Sequence, residues 1–259
     1  MDIVVLVKAT PVLEEAKITD DEKNLDTSEL KFFMNETDTY ALEEAILKKE
    51  KYGGRVTVIT LADSEIENDV NDMIYESYAK GADDGIIIEY SGIYMDPYAK
   101  AKIISDFLKT IKFDLILLGA QSTDTSYSLL GQLIARYLDL PYTTLVSSVE
   151  LNGNKLKVVR ELEEGLQAVY EMPLPSLLTI QSGINTPRYP PFVKIRNARS
   201  RPIKKVSIEN IIRDPQSLVK VKRRRLYIPP SKGAANILKG EPEELAARLA
   251  EIIKGVVPR

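Results

Sequence analysis

The sequence predicts an α/β fold with an open, mainly parallel, doubly wound sheet. Strand and helix patterns alternate four times before Pro141, which is typical of such a sheet with helices on both faces. Beyond Pro141 the pattern changes to consecutive strands, which predicts antiparallel additions to the sheet. A chain of 259 residues with 44% hydrophobic residues is also long and apolar enough to build a large core.

The first part of the chain consists of strand and helix pairs. Residues 2–7 (DIVVLV) are continuously apolar after Asp2, as expected of a strand buried on both faces. A helix at 35–51 carries apolar residues on one face and ends at Gly53-Gly54. The other predicted elements are an irregular polar stretch at 12–33, strands at 55–61, 85–90 and 113–118, and helices at 64–80, after Asp96 and around 129–137.

The second part of the chain predicts a hairpin, further strands and an extended segment. Asn152-Gly153 is a strong hairpin signal, and several prolines between 184 and 202 predict an extended, exposed backbone. We therefore divide the chain into an α/β domain at 1–183 and an extended C-terminal part at 184–259. The elements predicted here are strands at 145–151, 155–160, 165–171 and 176–180, an extended segment at 184–201 and a helix at 242–254.

Cysteine and histidine are both absent from the chain. The lack of Cys excludes disulfides, Cys-ligated iron–sulfur clusters and Cys-based zinc sites. The lack of His removes the commonest general base and transition-metal ligand. We therefore predict no catalytic residue and no metal site, and the composition favours a protein that binds, positions or carries something.

The chain shows no sign of a membrane span or a signal peptide. No apolar run approaches the roughly 18–20 residues that a spanning helix needs. The N-terminus has an acid at position 2 and passes directly into a strand, unlike a signal peptide. These features predict a cytoplasmic protein without membrane insertion.

Basic residues are concentrated between positions 188 and 225. This segment holds 13 Lys and Arg residues against Glu209 and Asp214, although the whole chain has a net charge of −3. A basic segment on an acidic body predicts an arm that meets an acidic partner or a nucleic acid. The alternative is a solvated surface segment.

The loop after the strand at 113–118 is the main candidate for a ligand site. A strand, a glycine-opened polar loop and a helix start together predict a phosphate site, because free N–H groups at the helix start face the ligand. Gly119 would let the backbone approach a ligand, and Gln121, Ser122 and Ser126 could bind phosphate or ribose. Asp124 would bind a hydroxyl group or hold the loop. The alternative is an ordinary loop whose polar residues cap the helix.

Two other segments reach the same end of the predicted sheet. Asn35-x-x-Asp38 begins the first helix, where it would serve the site or cap the helix. Lys8-Ala9-Thr10 leaves the first strand and could surround a purine ring with backbone groups. Neither G-x-G-x-x-G nor a Walker A motif is present, so the sequence lacks the standard dinucleotide and P-loop fingerprints.

Short motifs are distributed along nearly the whole chain. They are IVVLVKATP at 3–11, Asn35-x-x-Asp38-x-x-Ala41-Leu42-Glu43-Glu44-Ala45, Lys80-Gly81-Ala82-Asp83, Leu118-Gly119-x-Gln121-x-x-Asp124 with Gly131-Gln132, Leu140-Pro141 with Thr144, Glu163-Glu164-Gly165-x-Gln167 followed by Pro175-x-Leu177-Leu178-Thr179, and Asn185-x-Pro187-Arg188-Tyr189. In this order, they resemble the β subunit of electron transfer flavoprotein (ETF).

The resemblance implies an ETF-type adenine nucleotide-binding fold and a heterodimer with the ETF α subunit. Such a heterodimer passes electrons through FAD, held mostly by the α subunit, from acyl-CoA or other dehydrogenases to a quinone reductase-type or ferredoxin acceptor. The β subunit buries AMP, or a second FAD in electron-bifurcating members. Matching positions around that nucleotide are Ala9, Asn35, Asp38, Leu61, Gly119, Gln121, Ser122, Asp124 and Gly131.

The resemblance also assigns a recognition loop that docks dehydrogenases. It matches the extended segment 187–195, with Arg188, Tyr189, Phe192 and Ile195 as docking residues. Phe192 falls where the family places an aliphatic anchor, and a bulky apolar residue among basic residues suits a protein–protein hot spot. This makes nucleic-acid binding by the basic arm a weaker hypothesis.

Several positions depart from the family pattern and leave alternatives open. Ala62-Asp63 replaces the usual Gly-Pro, and Leu129, Ser126, Gln167 and Val12 also differ from the usual residues. One alternative is an electron-bifurcating ETF that oxidises NADH at a β-bound FAD. Another, from a different class, is a stand-alone nucleotide-binding module of the stress-protein type.

Overall fold

A computed structural model describes residues 1–13, 16–229, 233, 235 and 237–256. The strands are β1 (Asp2–Leu6), β2 (Ala9–Pro11), β3 (Phe32–Met34), β4 (Arg55–Asp63), β5 (Asp84–Tyr90), β6 (Leu115–Gly119), β7 (Tyr142–Asn152), β8 (Lys155–Glu161), β9 (Gln167–Pro173), β10 (Ser176–Ile180) and β11 (Lys204–Ser207). The α-helices are α1 (Glu36–Tyr52), α2 (Glu67–Lys80), α3 (Pro97–Leu108), α4 (Leu130–Leu138), α5 (Phe192–Ala198) and α6 (Pro242–Val256).

Nine of these strands form one sheet, in the order β11-β5-β4-β1-β6-β10-β7-β8-β9. All pairs from β11 to β7 are parallel, and β7, β8 and β9 pair antiparallel. This confirms the predicted α/β class, with an open and mainly parallel sheet extended by antiparallel strands. The short strands β2 and β3 form a separate antiparallel pair.

The central strand β1 shows why the sheet has helices on both faces. Ile3 and Val5 belong to the core shared with α1 and α2, whereas Val4 and Leu6 belong to the core shared with α3 and α4. Successive side chains of a strand point to opposite faces, so a continuous apolar run is buried twice. Burying each such side chain contributes roughly 1.5–3 kcal/mol, which makes β1 a strong anchor for both layers.

The strand order places a crevice beside β1. From β1 the chain continues to β4 and β5 on one side, and later strands β6 and β10 lie on the other side. Such a reversal is the switch point at which doubly wound sheets bind ligands, beyond the carboxyl ends of the strands. Leu6 pairs with both Ile59 and Leu118 in register, so the ends of β1, β4 and β6 lie side by side.

The segment predicted to be extended at 184–201 is only partly so. Pro191 has an extended backbone, but the proline-free stretch that follows it forms α5, with Ala198 buried. Farther along the basic segment, β11 pairs with β5 and extends the parallel sheet. The prediction of an extended backbone was therefore wrong beyond Pro191, because a short proline-free run next to an apolar surface can form a helix.

The contacts divide the chain into units at 1–226 and 227–259. The predicted boundary at 183/184 falls within the first unit, since β11 is part of the sheet. In the second unit, α6 includes all the residues predicted as a helix at 242–254. Its side chains Leu249, Ile252 and Ile253 are exposed. Among the described residues, no helix combines the length and apolar character needed to cross a membrane.

Candidate functional site

A cleft of about 1380 Å³ opens at the carboxyl ends of β1, β4 and β6. It is lined by the chain segments that the sequence singled out at these three strand ends, together with the start of α1. All nine residues that the resemblance placed around a nucleotide line this cleft: Ala9, Asn35, Asp38, Leu61, Gly119, Gln121, Ser122, Asp124 and Gly131.

Asp38, in the first turn of α1, joins two strand ends with one buried carboxylate. Its Oδ2 accepts a hydrogen bond from the backbone N–H of Lys8 at 2.8 Å, and its Oδ1 accepts one from Gly119 N–H at 2.8 Å. Burial raises the pKa of Asp38 to about 6, although these hydrogen bonds act in the opposite direction. Both oxygens are thus engaged by the protein itself, so Asp38 shapes the cleft rather than capping a helix.

Asn35 and Thr37 hold the loop that follows β6. The Asn35 side chain accepts a hydrogen bond from Thr123 N–H at 3.1 Å and donates one to the Gln121 carbonyl oxygen at 3.0 Å. Thr37 donates to the same carbonyl at 2.6 Å. Asn35 makes no side-chain cap to its own helix, so the capping alternative is wrong for this residue.

Two glycines at the site serve packing. A Cβ on Gly119 would overlap Thr37 Oγ1 and Asp38, so this glycine permits the close approach of α1 to the end of β6. A Cβ on Gly131 would lie 2.6 Å from Thr179 Cγ2, so this glycine lets α4 pack against β10. We predicted that Gly119 would let a ligand approach the backbone. The structure gives a different reason for this glycine, since the absent side chain makes room for α1.

Asp124 closes the loop with Lys8. The Lys8 ammonium lies 2.6 and 2.7 Å from the two Asp124 carboxylate oxygens and 3.2 Å from Ser122 Oγ. Burial alone would raise the pKa of Asp124, but the charge and hydrogen bonding of Lys8 outweigh it and hold this pKa below its ordinary value. Of the two roles predicted for Asp124, the structure displays the one that holds the loop.

The start of α4 opens on the cleft without a side-chain cap. Leu129 precedes the helix and caps none of its N–H groups with a side chain, and Leu129, Leu130 and Gly131 all line the cleft. Ser126 and Ser128 have positive φ angles of 51°, an uncommon conformation for residues with a Cβ. The N–H groups of the first turn of a helix favour an anion, so this end of the cleft suits a phosphate.

Cationic side chains that sequence reasoning missed also line the cleft. They are Lys23, Lys100 on α3 and, from the basic segment, Lys222 and Arg223. Asp96 positions the basic segment here, because its Oδ2 accepts hydrogen bonds from Lys220 and Val221 N–H at 2.7 and 2.8 Å. Part of the predicted arm is therefore a wall of the cleft. A signal for Lys100 was present in the sequence, since it shares a helix face with Ile104 and Phe107.

The predicted docking residues divide into two kinds. Tyr189 and Phe192 are 91% and 77% exposed. Arg188 instead hydrogen-bonds Glu43 at 2.9–3.0 Å and Glu50 at 2.6 and 3.0 Å, and these partners raise its pKa. Ile195 is half-buried against the core. Only Tyr189 and Phe192 thus present free side chains, and Arg188 holds their segment on α1.

Comparison with known proteins identifies the family. A family model described as "Electron transfer flavoprotein domain" matches residues 24–210. The chain is 30% identical over 257 residues to the electron transfer flavoprotein subunit beta of Bacillus subtilis (strain 168), with 98% of each chain covered. It is 34% identical over 263 residues to that of Methylophilus methylotrophus, with 98% of each covered, and 30% identical over 240 residues to that of Mus musculus, with 91% of each covered. The chain therefore belongs to the electron transfer flavoprotein family and is similar to its beta subunits over nearly its whole length.

Proposed function

We propose that this chain is the β subunit of a heterodimeric ETF that passes electrons between dehydrogenases and an acceptor. FAD, when bound between the subunits, supplies the redox chemistry. The chain's own share is to hold an adenine nucleotide, to bind the α subunit and to dock the electron donors. The convergence of all nine nucleotide-site residues on one cleft carries this proposal.

The lining of the cleft fits an adenine nucleotide. The uncapped start of α4 offers N–H groups to a phosphate, and Ser122, in the loop that leads to α4, lines the same cleft. Apolar side chains such as Leu6 and Leu61 line the cleft near the ends of β1 and β4, where a purine ring would be sheltered from water. Asn35 and Asp38 would act indirectly, by fixing the loop and the strand ends.

Exposed apolar side chains on the antiparallel edge support a subunit partner. Leu166 and Val169 are 63% and 60% exposed, and Leu162 and Tyr170 are also exposed. All four lie on β9 or on the connection that leads to it from β8. Exposed apolar residues concentrated in one region are typical of protein–protein interfaces. We assign this edge to the α subunit and the exposed Tyr189 and Phe192 to dehydrogenases.

A second candidate is the electron-bifurcating form, with FAD instead of AMP in this cleft. The cleft has room for the larger group, because its volume of about 1380 Å³ exceeds the roughly 300–1,000 Å³ of pockets for drug-sized ligands. Membership of the ETF family favours both forms over a stand-alone nucleotide-binding module.

The test is to purify the heterodimer, denature it and identify the released nucleotides by chromatography. One FAD and one AMP per heterodimer would support the simple carrier, and two FAD would support the bifurcating form. If the purified heterodimer carries only one FAD and does not bind AMP or FAD added in solution, nucleotide binding by this chain is refuted. A β chain that does not copurify with an α subunit would refute the heterodimer.

A further inference from the structure

Lys100 occupies a distinctive position in the cleft. It lies on α3, where its neighbours Ala99 and Ala101 are fully buried, and it lines the cleft together with Ile104. Its ammonium makes no ion pair and no hydrogen bond with any residue in the described part of the chain. Lys102, two positions along the same helix, instead pairs with Asp106. Lys100 therefore carries a charge that the described part of the protein leaves without a counterion.

The nearby carboxylates are already committed to other groups. Asp124 is bound by Lys8 at 2.6 Å. Asp96 accepts hydrogen bonds from Ala99, Lys220 and Val221 N–H at 2.7–2.8 Å. Asp38 accepts its two backbone hydrogen bonds through both oxygens. None of these three carboxylates forms an ion pair with Lys100 in the described part of the chain.

The surroundings of Lys100 are unfavourable for an unpaired cation. Burial lowers the pKa of Lys100 to about 8, and the positive charges of Lys8 and Arg223 act in the same direction, whereas Asp124 and Asp96 oppose them. Arg223 itself is held by the Lys23 carbonyl oxygen at 2.8 Å and lies over the Tyr94 ring. At neutral pH Lys100 is still mainly charged, so an anion entering the cleft would relieve an existing electrostatic penalty.

We propose that Lys100 binds the phosphate group of the nucleotide in this cleft, opposite the N–H groups at the start of α4. This rests on the proposed nucleotide-binding function and adds a specific contact to it. Lys100 and the first residues of α4 line the same cleft from two helices, and both favour a negative charge. A charge-assisted hydrogen bond in a partly dehydrated site is stronger than a neutral one, so Lys100 would distinguish a nucleotide from its nucleoside.

The test compares AMP with adenosine by calorimetric titration of the heterodimer after removal of bound nucleotide. We expect Lys100→Met to weaken AMP binding by about 10- to 100-fold, the range for loss of a hydrogen bond to a charged group, and to leave adenosine binding unchanged. Lys100→Arg keeps the charge and should retain most of the AMP affinity. Lys102→Met is the matched control on the same helix and should change neither affinity.

Several outcomes would overturn the assignment. Unchanged AMP binding by Lys100→Met, or an equal loss for AMP and adenosine, would show that Lys100 does not contact the phosphate. If Lys100→Met fails to fold, Lys100→Gln replaces it, with the same expectations. A parent heterodimer that binds neither AMP nor FAD would refute the nucleotide-binding function itself, and the role of Lys100 with it.

Discussion

The cleft and the segment at 188–192, which we propose to dock dehydrogenases (the docking segment), are both held by α1. The two regions differ in which side chains they leave exposed. At the start of α1, Asn35 and Asp38 point into the protein, where backbone groups of the loop after β6 satisfy Asn35 and those of two strand ends satisfy Asp38. Further along, Glu43 and Glu50 hold Arg188, and the segment that Arg188 begins exposes Tyr189 and Phe192. One region is a polar framework around a cavity, and the other presents apolar side chains to the solvent.

The comparison separates residues that form a site from residues that contact a ligand or a partner. Asp38, Asn35 and Arg188 were predicted from family motifs to bind, yet each is engaged by the protein's own groups. By contrast, among the described residues, the N–H groups at the start of α4 have no side-chain cap and the Phe192 side chain is largely exposed. Substitutions of the first kind should lower stability, whereas those of the second kind should affect recognition alone.

The largest effect is expected for Asp38→Ala. It leaves the backbone N–H groups of Lys8 and Gly119 without acceptors, and each unsatisfied buried group costs about 1–3 kcal/mol. We expect the free energy of unfolding in urea to fall by about 2–4 kcal/mol. Asp20→Ala, at an exposed acid, is the control and should change it by less than about 0.5 kcal/mol. An equal, small change for both variants would contradict the framework role.

Arg188→Met should rank second. It leaves the buried Glu43 carboxylate without its cation, which we expect to cost about 2 kcal/mol of stability. Because the docking segment loses its attachment to α1, the KM for a donor dehydrogenase should rise about 10-fold, with flavin content unchanged. Adding Glu43→Gln should restore much of the stability but not the KM. If the double variant is no more stable than Arg188→Met, the two side chains are not coupled.

Phe192→Ala should act on recognition alone. The side chain is largely exposed, so its removal should change the free energy of unfolding by less than about 0.5 kcal/mol. As an anchor in a partner interface, its loss should slow electron transfer from the dehydrogenase at limiting donor by about 10-fold, with flavin content unchanged. Phe33→Ala, at an exposed aromatic residue on β3 outside both proposed interfaces, is the control and should leave the rate unchanged. Equal rates for parent and Phe192→Ala would refute the docking role.

The last prediction concerns the pH dependence of stability that Lys100 causes in the absence of nucleotide. Its pKa in the folded chain, about 8, lies below its ordinary value of 10.5, so the unfolded chain binds more protons between these values. Folding stability should thus rise as the pH increases from 8 to 10.5. Lys100→Met should therefore be more stable than the parent at pH 7, and this gain should disappear near pH 10.5. A gain that does not depend on pH would have another cause.

The sheet could be predicted because its signals are long and regular. The apolar runs of β1 and β6 and the Asn152-Gly153 turn each depend on local patterns that tertiary contacts reinforce. The helix α5 and strand β11 were missed because they are short and lie among prolines and charges. Their structure depends on packing against α2 and β5, which no local pattern reveals.

The site was predictable as a location but less so in its chemistry. The residues that the resemblance placed around a nucleotide all line one cleft, because parallel strands end at one edge of the sheet. The resemblance could not show that Gly119 accommodates α1, since that contact joins residues far apart in sequence. Lys100 was overlooked because lysine on a helix is usually solvated, although it shares a helix face with Ile104 and Phe107, and the arrangement of α3 places it beside the cleft.

The carboxylate that joins the ends of β1 and β6 has a consequence for cofactor exchange. Asp38 satisfies the amides of Lys8 and Gly119, so these groups do not require an occupant for the crevice to keep its form. Under the proposed function, the nucleotide can then bind after the chain has folded. A nucleotide-free subunit should bind added nucleotide without being refolded. Under the same proposal, AMP and FAD would then compete for a cleft whose strand ends are already held in place.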